Sequence, residues 1–215
     1  MTVVGFEAYA GLARRVLAGP ARLGRTRLVV VDGPSGAGKS VFATRLADAL
    51  TATTGGPPPV VRTDDLLAGW DDQLTFWSRL EERVLAPVRA GRPGAYRRYS
   101  WVRRRFLDRE VAVPVGPVLL VEGVSAARAV VRPEASLSVF VTAPALLRRE
   151  RALTRDGPEI LPELLRWHAG ERAHFAADGT PAAVDLVVDG APVLPHDARR
   201  YYARRLRTGS GDARR

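Results

Sequence analysis

Gly33-Pro34-Ser35-Gly36-Ala37-Gly38-Lys39-Ser40 carries two glycines, a lysine and a serine at the spacing G-x-x-x-x-G-K-[ST]. That spacing suits a loop that wraps phosphate groups. The glycines permit backbone geometry that a side chain would block, so successive N–H groups can converge on phosphate oxygens at the positive end of a following helix. Contacts to a nucleoside triphosphate are therefore expected from Gly33, Ser35, Gly36, Ala37, Gly38, Lys39, Ser40 and Val41. Lys39 should reach the β- and γ-phosphates, and the Ser40 hydroxyl is placed for Mg²⁺, the hard cation that bridges them. The pattern implies triphosphate binding but does not by itself name a reaction.

Of the 33 basic residues, only Lys39 is a lysine, which leaves 32 arginines. A planar guanidinium does not fit inside such a loop where a compact ammonium does. Phosphoryl transfer to an alcohol also needs a carboxylate near the attacking oxygen, and usually a second acid group to orient the metal or its waters. Asp64 and Glu122 each follow a short apolar run and are the candidates. Asp65 should point away from Asp64 if the chain is still extended there, because successive strand side chains alternate.

These groups need a scaffold. Leu28–Val31, Val60–Thr63, Val118–Val121, Leu137–Val141 and Leu186–Val188 are short, apolar and mostly β-branched, and they read as buried parallel strands. Helical spacing marks residues ~5–18, Val41–Ala52, Asp71–Ala90, ~144–154, ~159–177 and Asp197–Arg207. Thr51–Pro59 has loop composition, Ala95–Pro114 shows no single period, and residues 208–215 read as a frayed tail. Alternation of strands and helices predicts an α/β fold, with about five parallel strands and helices on both faces. In such sheets ligands sit beyond the carboxyl ends of the strands, where the loop, Asp64 and Glu122 all fall.

The 215 residues, 46% apolar and 26% charged, fit one domain. The expected division is an N-terminal helix packed on the core (1–26), the main body (27–190), and a basic C-terminal helix and tail (191–215). No cysteine is present, which excludes disulfides and thiolate chemistry and agrees with a reducing cytoplasm. The first 19 residues do not read as a signal peptide, and no run approaches membrane-spanning length. The net charge of +10 would suit a polyanion, but its arginine bias resembles a codon bias of the source. The C-terminal segment lacks interleaved aromatics apart from Tyr201-Tyr202, so specific nucleic-acid binding is not expected. Homo-oligomerisation stays open. His168 and His174 are six residues apart, the wrong spacing for two metal ligands on one helical face. Trp167 and Phe175 read as core.

From about Leu28 to Gly190 the chain resembles the uridine kinase and phosphoribulokinase-like family of P-loop kinases. The resemblance rests on GPSGAGKS, Asp64-Asp65-Leu66, the VLLVEG run Val118–Gly123 and the arginine-rich stretch Leu147–Gly157. It implies ATP- and Mg²⁺-dependent transfer of the γ-phosphate to a nucleoside 5′-hydroxyl or a similar alcohol. By that resemblance Asp64 is the base, and Ser40, Asp64 and Glu122 lie around the metal. A lid over about residues 147–158 closes on the triphosphate with Arg148, Arg149, Arg151 and Arg155, of which Arg155 is counted as catalytic beside Asp64 and Lys39.

The acceptor side departs from the family. Where uridine kinases have Tyr-Asp-Phe followed by histidine and arginine, this chain has Tyr99-Ser100-Trp101-Val102-Arg103-Arg104-Arg105. Asp65, Asp71, Asp72, Tyr99, Trp101 and Arg104 are the expected acceptor contacts. A helix cap is an equal reading for Asp71-Asp72. A nucleoside monophosphate kinase, a polynucleotide 5′-hydroxyl kinase and a non-catalytic nucleotide-binding protein remain as alternatives.

Overall fold

The computed structural model describes residues 4–206. Strands β1 (Val4–Ala8), β2 (Arg27–Asp32), β3 (Val60–Arg62), β6 (Val118–Glu122), β7 (Ala135–Thr142), β8 (Leu186–Asp189) and β9 (Tyr201–Arg205) form one sheet in the order β1-β9-β8-β7-β2-β6-β3. Strands β4 (Gly94–Ser100) and β5 (Arg105–Val113) form a separate antiparallel hairpin. The five expected parallel strands are β8, β7, β2, β6 and β3. Two more strands, both pairing antiparallel, extend the β8 edge.

The core lies on both faces of the sheet, as the apolar runs require. Along β2, Leu28 and Val30 join one cluster with Phe76, Leu80 and Trp167, while Val29 and Val31 join the other with Leu12, Val16, Phe42 and Leu46. Each such side chain removed from water contributes roughly 1.5–3 kcal/mol. The second cluster is covered by α1 (Tyr9–Ala18) and α2 (Lys39–Thr54). The first lies under α6 (Leu161–Asp178) and a helical segment built from α3 (Trp77–Leu80), a π-turn (Glu81–Leu85) and α4 (Ala86–Arg89). The wide π-turn precedes Pro87, which has no N–H for the Arg83 carbonyl. Short α7 (Thr180–Ala183) follows α6, and α5 (Ala145–Asp156) follows β7. Among the described residues no helix is long and apolar enough to cross a membrane.

Four local expectations are corrected. The helix expected over ~5–18 starts only at Tyr9, because Val4–Ala8 pairs with Tyr201–Arg205 in register from Val4↔Arg205 to Ala8↔Tyr201. Within the described residues, the helix expected over Asp197–Arg207 is instead a turn followed by β9. There Arg204 pairs with Glu7 at 2.8 Å and Arg205 with Asp189 at 3.2 Å. Long-range pairing outweighed the local period, which each segment satisfied only in isolation. The helix expected from Asp71 begins at Trp77, since Trp70–Asp72 is a 3₁₀ turn. Thr51–Thr54 belongs to α2, so the following loop is shorter than expected. The tail expected over 208–215 lies outside the described residues.

Candidate active site

The loop Gly33–Gly38 joins β2 to α2 in the middle of the sheet, between the ends of β6 and β7. Helix α2 starts after Gly38, whose φ of 101° is left-handed, and it has no side-chain cap. The N–H groups of Gly36, Gly38, Lys39, Ser40 and Val41 therefore have no protein acceptor among the described residues. Five unpaired donors at a helix N-terminus make a strong anion site. The Lys39 ammonium rests on the Pro34 carbonyl at 3.2 Å. Helix α5 packs so closely on the loop that any side chain at Gly36, where φ is 76°, would run into the Arg148 carbonyl.

Below the loop, Asp32 ends β2 and is fully buried. Its carboxylate accepts the N–H groups of Gly33 at 2.6 Å, Ser125 at 2.8 Å and Ala127 at 2.9 Å. It thus ties the loop to the turn after β6. Burial pushes its pKa up to about 6, against the opposing pull of the three donors and Lys39. The sequence marks Asp32 only as a strand-end residue, because the partners that define its position are remote.

Glu122, at the end of β6, is nearly buried and accepts the Ser40 hydroxyl at 2.8 Å. Arg62 Nε stands 3.5 Å from the same carboxylate oxygen. The ends of β3 and β6 approach closely because residue 123 is glycine with φ 144°, and a Cβ there would collide with the Thr63 hydroxyl. Thr63–Asp65 is a 3₁₀ turn rather than extended chain. It still separates the two acids. Asp65 turns to the hairpin, where it accepts from Tyr96 Oη at 3.3 Å and Arg98 Nε at 3.0 Å.

Asp64 shares the electrostatic field of Lys39, Arg155 and Glu171. The residue is exposed, yet desolvation by the surrounding protein raises its carboxyl above the usual range, with Lys39 and then Arg155 drawing it back. Desolvation raises Glu122 too, opposed first by Lys39 and then by the Ser40 hydrogen bond. One ammonium therefore steadies two carboxylates.

A hydroxyl and a buried carboxylate 2.8 Å apart fit a magnesium ion, which takes few protein ligands and completes its shell with phosphate and water. Among the described residues no cluster of three His, Cys, Asp or Glu groups could hold a metal alone.

The lid arginines divide. Arg155 is held by Asp156 at 2.6 Å and faces Asp64 and Glu122. Arg151 donates to the carbonyls of Gly36 and Gly190. Arg148 is engaged inside the protein, donating to the carbonyls of Ala143 and Ser35. Arg149 has no hydrogen bond to the loop.

On the acceptor side Trp101 donates its indole N–H to the Asp64 carbonyl at 3.3 Å and meets Trp70 and Tyr99 edge to face. Trp70 in turn meets Trp167. Trp167 is buried as expected for core, but its indole N–H reaches Ser35 Oγ at 2.9 Å. Asp72 is engaged within its own turn, by the Ala68 N–H at 2.7 Å, the Thr75 hydroxyl and Arg79. Asp71 is exposed and has no partner among the described residues. Arg104 sits at the tip of the hairpin with φ 50°, exposed. Beside Ser40 and Val41 opens a cleft of about 820 Å³, also lined by Tyr9, Arg45, Arg199 and Arg200.

No protein-family model matches the sequence, and no curated protein matches it. Solved structures do. One, from Bacillus stearothermophilus and described provisionally as a uridine kinase, superposes with a TM-score of 0.63 at 17% identity, over 83% of this chain and 96% of the other. Another, from Silicibacter sp. and described provisionally as a fructose transport system kinase, gives 0.58 at 21% identity over 84% and 98%. The fold is that of the P-loop kinases. The two added strands at the β8 edge leave that fold intact.

Proposed function

We propose that this chain is an ATP- and Mg²⁺-dependent phosphotransferase that moves the γ-phosphate to the hydroxyl of a small molecule, with a nucleoside 5′-hydroxyl as the leading acceptor. The observation that carries the reading is the uncapped start of α2, five free N–H groups and Lys39 opposite Asp64 and Glu122. In this reading those donors and Lys39 hold the β- and γ-phosphates. The cleft beside Val41 has room for the nucleoside half of ATP.

Asp64 orients the acceptor hydroxyl. The acceptor oxygen attacks the γ-phosphorus as the bond to the β,γ-bridging oxygen breaks, the proton passes to Asp64, and ADP leaves. Ser40 and Glu122 would hold Mg²⁺, which when bound supplies positive charge to the phosphates. Arg155 adds charge from the lid side, and Arg151 closes over the loop.

Acceptor choice falls to Trp101, Tyr99, Asp71 and the arginines at the hairpin tip. The names of the two similar structures point to a nucleoside and to a sugar, both alcohols. The fold and the intracellular chemistry of ATP suit a cytoplasmic enzyme. A panel of nucleosides, nucleoside monophosphates, sugars and short oligonucleotides, assayed for ADP formation with Mg²⁺, tests the reading. Turnover on a small alcohol supports it, and no ATP binding with or without acceptor removes it.

A further inference from the structure

Glu171 lies on α6, 1% exposed, and faces the phosphate loop. Its Oε1 accepts the backbone N–H of Ser35 at 2.7 Å and the indole N–H of Trp167 at 3.0 Å. Arg148 Nη1 stands 3.6 Å from Oε2 and donates to the Ser35 carbonyl at 3.3 Å. Trp167 also reaches Ser35 Oγ. The N–H, side chain and carbonyl of one loop residue are thus all gripped by a single buried cluster. An ion held out of water is costly unless its hydrogen bonds are complete, and removing one partner of such a group is disruptive.

We propose that Glu171 is a positioning residue for phosphoryl transfer, fixing Ser35 and through it the place where the terminal phosphate rests. This rests on the triphosphate reading above. The Ser35 N–H is consumed by Glu171, so the donors free for an anion begin at the next residue, Gly36. Movement of Ser35 carries Gly36 with it. Val41, by contrast, lies within α2 and is anchored independently. Loss of Glu171 should therefore disturb the entry side of the loop more than its helical end, and small misplacements of a reacting group can cost up to about a hundredfold in rate. Trp167 extends the same support to the acceptor side through Trp70 and Trp101, whose indole bonds the Asp64 carbonyl.

The test compares the unmodified protein with Glu171→Ala, Glu171→Gln and Trp167→Phe. Calorimetry with Mg²⁺ measures ATP and ADP affinity, turnover is measured on the best acceptor of the panel, and thermal unfolding checks each fold. Glu171→Ala should lower kcat at least about tenfold and the preference for ATP over ADP about fivefold, with ADP affinity nearly unchanged. Glutamine keeps an oxygen for Ser35 and Trp167 and should recover most of the preference. A folded Glu171→Ala with unchanged kcat and unchanged preference overturns the proposal while leaving the phosphotransferase reading intact. If Glu171→Ala does not fold, Trp167→Phe decides: it keeps a ring and removes the shared donor, so an unchanged preference there overturns it as well. Failure of the unmodified protein to bind ATP fells the phosphotransferase reading first, and this inference with it.

Discussion

The Ser40 hydroxyl donates to Glu122 at 2.8 Å, joining the first turn of α2 to the end of β6 across 82 positions of sequence. Neither residue has that meaning alone. A serine after a loop lysine is a local motif, and a glutamate after an apolar run is common; their adjacency builds a candidate metal shell. Glu122→Gln keeps the hydrogen bond and removes the charge. It should weaken Mg²⁺-supported turnover about tenfold or more and raise the Mg²⁺ concentration needed, read from a magnesium titration at fixed ATP.

Lys39 steadies both Asp64 and Glu122 as well as facing the anion site. Lys39→Ala should abolish measurable turnover and reduce ATP affinity by at least tenfold without unfolding the chain. Unchanged calorimetric binding together with unchanged activity would remove the phosphate-loop reading.

For Asp64 and Asp65 the expected outcomes differ. Asp64→Asn should cut turnover at least about a hundredfold while ATP still binds, the scale of general-base help. Asp65→Asn loosens the hairpin contacts to Tyr96 and Arg98 and should cost less. A larger loss at Asp65 would transfer the role. The raised carboxyl of Asp64 should also place the acid limb of the pH–rate profile above the ordinary aspartate range, because the ionised form is the one that accepts a proton.

Asp32 gives a pH dependence of stability. Its pKa, about 6 in the folded protein against 3.8 as the ordinary value, means the folded state holds a proton that the unfolded state releases first. That contribution is fully present below pH ~4 and lost as pH rises through 6, about 3 kcal/mol at most on the scale of 1.36 kcal/mol per pKa unit. Asp32→Asn, which cannot accept from all three N–H groups, should be destabilised by about 1–3 kcal/mol. Urea unfolding from pH 4.5 to 7 should show the gap to unmodified protein widening as pH falls. A gap that stays constant sinks the assignment.

Trp101→Ala should raise the acceptor KM about tenfold while leaving ATP affinity within twofold, since the ring lies against the Asp64 turn and not the loop. Uridine is expected to be a poor acceptor because this hairpin departs from the uridine kinase pattern. Uridine and cytidine proving best, with Arg104→Ala kinetically silent, would show that the departure has no consequence.

Short-range rules carried the loop with Lys39 and Ser40 at its end, and the five parallel strands. Each depends on residues adjacent in sequence or on a strand's own apolar run, where backbone geometry follows directly from glycine, β-branching and helix start. Tertiary structure decided what depended on remote partners. Residues 4–8 and 201–205 each have acceptable helical spacing, yet they pair as strands because each supplies the hydrogen bonds the other lacks. Trp167 looked like core, and is core, but its one polar atom meets Ser35 132 positions away. Asp65 turns away from Asp64 as alternation suggested, though the cause is a 3₁₀ turn and the pull of Tyr96 and Arg98. Asp32 shows locally only as the end of a strand, and Glu171 carries no local signature at all. A buried carboxylate is defined by the N–H groups brought to it, and those come from segments that only folding makes neighbours.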